Sequence, residues 1–104
     1  MKKILVALLA FVSLSAFAEL KQDGNQLLND INGNDIKYMF AMGYIRGLSD
    51  NMPCVPSSVT NGQSLDVVKK YLEQNPEYRH EYMGILVTKA LNKAYPCKKT
   101  APKG

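Results

Sequence analysis

Apolar residues along this chain recur at helical spacing, and no stretch alternates with the period of two that marks a strand. From Lys21 to Asn34 the sequence is polar and rich in Asn, Asp and Gly, broken by Leu27, Leu28 and Ile31, which predict about two turns of helix. A stronger pattern follows. Ile36, Met39, Phe40, Gly43 and Gly47 fall on one helical face behind a cap at Asn34 or Asp35, and this helix should run to about Asp50, where Asn51 and Pro53 end it. Gly43 and Gly47 lie one turn apart on that face. Glycine weakens a helix, so two there predict the close approach of a neighbouring helix, with a kink as the simpler alternative. Thr60-Asn61-Gly62-Gln63 has the arrangement of a capping box, and Leu65, Val68, Tyr71 and Leu72 carry a helix on to Asn75. Asn75-Pro76-Glu77 then reads as a fresh start, with a last helix running to about Ala94 before Pro96 and Cys97. The expected fold is all-α, a small bundle of three to four helices.

The ends change how this pattern is read. Lys2 and Lys3 precede an apolar run from Ile4 to Val12 and a small-x-small site at Ala16-Phe17-Ala18, which is the organisation of a secretory signal peptide (1-18) cut before Glu19. The run is shorter than the roughly 20 residues a membrane span needs. Cleavage would leave 86 of the 104 residues, enough for one domain (19-97) and a basic, disordered tail (98-104). The formal net charge of +4 comes from the two ends, since Glu19 to Cys97 holds 8 basic and 9 acidic residues. A nucleic-acid partner is therefore not expected.

Export also bears on the cysteines. Two of them in an oxidising compartment predict one disulfide, Cys54 to Cys97, closing a loop of about 43 residues. The chain-entropy argument credits such a link with roughly 4 kcal/mol. Pro53 and Pro56 stiffen the backbone on either side of Cys54.

Candidate chemistry is sparse. One histidine, no free thiol and no Ser/His/Asp set or glycine-rich phosphate loop argue against an enzyme, a metal site and a cofactor. If the last helix starts at Asn75, His80 falls on its apolar side with Met83, Gly84 and Val87, as a partly buried structural histidine or, alternatively, a pH sensor. On the opposite side Tyr78, Tyr82 and Ile85 stand among Glu77, Glu81, Lys89 and Lys93. Large apolar groups among charges predict a cover, either the N-terminal segment or a dimer or partner surface. The loop from Val55 to Asn61, with Val55, Pro56, Ser57 and Ser58 after the anchored cysteine, reads either as a binding loop or as a plain connection.

Four stretches, GYIRGLSD (Gly43 to Asp50), CVPSSVTNGQ (Cys54 to Gln63), VVKKYLEQNPEYRH (Val67 to His80) and LVTKALNKAYPC (Leu86 to Cys97), together resemble the Rap/Tai family of immunity proteins from type VI secretion. The resemblance implies a small helical periplasmic protein, commonly a homodimer. Its partner would be a peptidoglycan amidase toxin of the cysteine–histidine type, inhibited by occlusion of the catalytic cleft. Cys54 and Cys97 match the family's cysteines, and Arg79 and His80 match an Arg-His pair taken as structural. The toxin-contacting surface does not carry over from the family. A second reading from another class is a periplasmic stress or acid-chaperone-like protein.

Overall fold

The computed structural model describes residues 21–98; the signal-peptide expectation and the tail beyond Lys98 lie outside the described residues. The helices are α1 (Gly24–Ile31), α2 (Asp35–Ser49), α3 (Asn61–Gln74) and α4 (Met83–Ala94), with a single 3-10 turn at Pro76–Tyr78. Three of the four starts have a local cause. Asp23 accepts from the Gln26 amide at α1, Asn34 from Lys37 at α2, and Thr60 from Gln63 at α3, where the Gln63 side chain returns the bond to the Thr60 amide at 2.8 Å. Helix α3 packs against α1, α2 and α4, and the core between them consists of Leu27, Ile31, Ala41, Ile45, Leu65, Val68, Leu72, Met83, Leu86, Val87, Ala90 and Leu91. Cys54 and Cys97 are disulfide-bonded with Cα atoms 5.1 Å apart, tying the loop after α2 to the chain just beyond α4.

Two expectations fail. The last helix does not run on from Asn75. Residues 79–82 leave the helical ladder because their backbone is used elsewhere: the carbonyls of Arg79 and Glu81 accept from Asn25 and Gly24, and the Met83 amide donates to Gln22 at 2.8 Å. The N-terminal strap thus replaces helical hydrogen bonds with a bridge centred on Asp23 and Tyr82. Gly24 makes it possible, since a Cβ there would run into Leu86 Cδ1 and sit 3.0 Å from the Arg79 backbone. His80, placed in this turn, is exposed and not part of an apolar helix face.

The second failure concerns α2. It turns Ala41 and Ile45 inward, while Ile36, Met39 and Phe40 are 80%, 70% and 54% exposed. A Cβ on Gly43 or Gly47 would meet nothing within 4 Å, so among the described residues no helix lies against them. The cause is that α2 is apolar nearly all round, and its other stripe, Ala41, Ile45 and partly buried Leu48, is the one that reaches the core.

Candidate partner-binding surface

The first candidate surface starts where α4 begins. Tyr82 precedes Met83 with its ring across the first turn, and Tyr44 reaches over from α2 to the same place. Gly84 makes room for both: a Cβ there would lie 2.8 Å from the Tyr82 ring and 2.9 Å from the Tyr44 hydroxyl. The Tyr44 hydroxyl is pushed up from 10.0 to about 12, first by loss of water and then by the neighbouring Tyr82 side chain. Beside the rings lies a shallow apolar groove of about 390 Å³, lined also by Leu48, Ile85, Thr88 and Lys89. Lys89 has two partners here. Its Nζ is 3.1 Å from Glu81 Oε1 and 5.8 Å from the centre of the Tyr78 ring, and the Glu81 carboxylate raises the lysine's pKa.

Tyr78, Tyr82 and Ile85 are therefore gathered into one patch and each remains close to half exposed. The helical register assumed for them is absent, but Lys89 and the turn bring them together by another route. The strap of residues 22–25 binds the backbone beneath the patch and leaves these side chains uncovered. On the α2 side the patch continues through Tyr44 to Phe40, whose ring centre is 6.2 Å away at 30°, and so to Ile36 and Met39. The sequence pattern missed this continuity. Its signal was the number of large apolar residues on α2, more than one buried face can hold.

The second candidate surface is the loop after α2. Val55 packs against the core, while Pro56, Ser57 and Ser58 are exposed. Two turns shape the loop, through Val55 N–H to Met52 O at 3.2 Å and Val59 N–H to Pro56 O at 3.0 Å. The disulfide pins one end and the Thr60–Gln63 box the other. Because Cys97 follows the last turn of α4 and Tyr82 precedes its first, the 12 residues of α4 place the loop's anchor about 18 Å from the aromatic patch. The two surfaces are distinct.

The model for Rap1a immunity proteins matches residues 23–97, a span running from the cap of α1 to the second cysteine of the staple. This chain belongs to the Rap1a immunity protein family. Searches of curated proteins and of solved structures returned no match. The match to the Rap1a immunity proteins takes in all four helices and both candidate surfaces. Of the Arg-His pair within it, Arg79 is half-buried, with a carbonyl that holds the strap through Asn25 and an Nε that has no hydrogen-bond partner among the described residues. Among the described residues no cluster of three or more potential metal ligands occurs, and no helix is long and apolar enough to cross a membrane.

Proposed function

We propose that this immunity protein is exported to the periplasm, cut after Ala18, and there binds and inhibits a peptidoglycan amidase delivered by type VI secretion. It acts by occupying a cleft and not by catalysis. The loop Val55 to Ser58 enters the catalytic cleft of the amidase, and the patch of Tyr78, Tyr82 and Ile85 serves a homodimer. The observation that carries this reading is the loop's construction: Pro56, Ser57 and Ser58 face water although both ends of the loop are fixed. A loop already held in one shape loses little conformational freedom on binding, which favours tight inhibition. Val55, rooted in the core, supports the tip from beneath. A cleft complex of ordinary size buries roughly 1,600 Å² in total, so residues around the loop must also contribute.

Oxidised protein used as bait against the secreted proteins of the source strain and its relatives tests this, with captured proteins identified by mass spectrometry. The expected result is one cysteine–histidine amidase whose wall-cutting activity falls as bait is added. The exposed apolar patch gives an acid-chaperone role its one point of support. A mixed catch of unfolded envelope proteins, with suppression of unrelated aggregation in acid, would replace the immunity mechanism with that role.

A further inference from the structure

The disulfide stands apart from the contacts that hold the helices together. The buried apolar core, from Leu27 to Leu91, lies entirely within α1 to α4, with no member in residues 51–60 or beyond Ala94. From the segments that carry the two cysteines, Met52, Val55 and Tyr95 pack against that core, and each is only partly buried. The loop's hydrogen bonds are equally local. The amides of Asn51, Met52, Val55 and Val59 donate to the carbonyls of Leu48, Ser49, Met52 and Pro56, and the Asn51 side chain donates to Gly47. Among the described residues no hydrogen bond joins residues 51–59 to α1, α3 or α4. Helix α3 starts on its own box at Thr60 and Gln63. The covalent bond, spanning a sequence separation of 43, is therefore what fixes the loop against the end of α4.

The bond is also open to chemistry, since Cys97 is exposed and Cys54 partly so. In a reducing compartment both are thiols. Closing the bond takes a disulfide-bearing oxidant. The Cys97 thiolate attacks one sulfur of that disulfide, and the Cys54 thiolate then attacks Cys97 Sγ and displaces the oxidant. Two electrons pass from the cysteine pair to the oxidant, which leaves as a dithiol carrying the two protons that the cysteines lose. A loop that is loose beforehand must be ordered during binding, and that ordering weakens the complex.

We propose that the Cys54–Cys97 bond gates inhibition and does not hold the fold. The reduced chain keeps its four helices around a loose, non-inhibitory loop, and oxidation after export turns the inhibitor on. A copy in a reducing compartment leaves the amidase free. The inference rests on the loop mechanism of the preceding section. Its test compares the oxidised exported protein with the same protein reduced by dithiothreitol and with the double variant Cys54→Ser, Cys97→Ser. Both thiol-free and reduced forms should keep the helical spectrum and a cooperative melt, at a lower temperature because the cross-link no longer restricts the unfolded chain. Backbone order parameters at Ser57 and Ser58 should fall from about 0.85 to below about 0.6, while those of Val68 and Leu72 stay unchanged. Against the captured amidase, the double variant should need at least about tenfold more protein for equal inhibition. Reduced wild type treated with oxidised glutathione should return to the oxidised curve. Loss of the helical spectrum without the bond overturns the proposal, because the bond would then belong to the fold. Unchanged order parameters in the loop overturn it too. Equal inhibition by the oxidised protein and the double variant refutes the gate alone, whereas oxidised protein that never inhibits refutes the loop mechanism and the gate with it.

Discussion

Helix α2 has two apolar faces with opposite fates. The inner one, Ala41 and Ile45, is shielded by the other helices, and the outer one, Ile36, Met39 and Phe40, stands in water. The difference teaches that hydrophobic periodicity identifies a helix without choosing its buried side when two stripes compete. It also separates stability from recognition within one element, since folding uses one face and leaves the other free for association.

Substitutions should split the two faces sharply. Ile45→Ala on the inner face removes a fully buried side chain and should cost about 2–5 kcal/mol in denaturant unfolding. On the outer face Gly43→Ala should do the reverse in dilute protein, raising monomer stability by about 0.5–1 kcal/mol, because the added methyl meets open space. Tyr44 sits at the seam between the faces. Its hydroxyl titrates near 12 in the folded chain against 10.0 when unfolded, so the neutral form favours folding below pH 10 and that contribution is lost as pH rises toward 12. The melting temperature should therefore fall across that interval, and Tyr44→Phe should flatten the part of the fall that belongs to this group. Phe40→Ala should be the quietest change, within about 0.5 kcal/mol for the dilute monomer. A large loss there would mean that the outer face contributes to the monomer's own fold and would remove the contrast.

Much of this architecture is legible in the residues. Asn34, the Thr60–Gln63 box and the apolar spacing of Leu65, Val68 and Leu72 are local signals, and the helices begin where these signals stand. The pairing of Cys54 with Cys97 follows from there being two cysteines. What escaped is non-local. Nothing near Arg79 announces that its carbonyl will be taken by Asn25, yet that bond and the Gln22–Met83 bond delay α4 to Met83 and place His80 in a solvent-facing turn. A continuous helical register would group Tyr78, Tyr82 and Ile85, but the structure lacks it; Lys89 and Gly84 supply the geometry that unites them. The α2 glycines predict the close approach of a neighbouring helix, and among the described residues none lies against them.

Inhibition by the pinned loop is tested by titrating wall hydrolysis by the captured amidase with oxidised protein and with its Ser57→Arg variant. Hydrolysis should fall to zero at one protomer per amidase, and Ser57→Arg should shift the inhibition curve by at least about tenfold without changing the helical spectrum. Undiminished hydrolysis in excess wild-type protein, or identical curves for the two proteins, would contradict it.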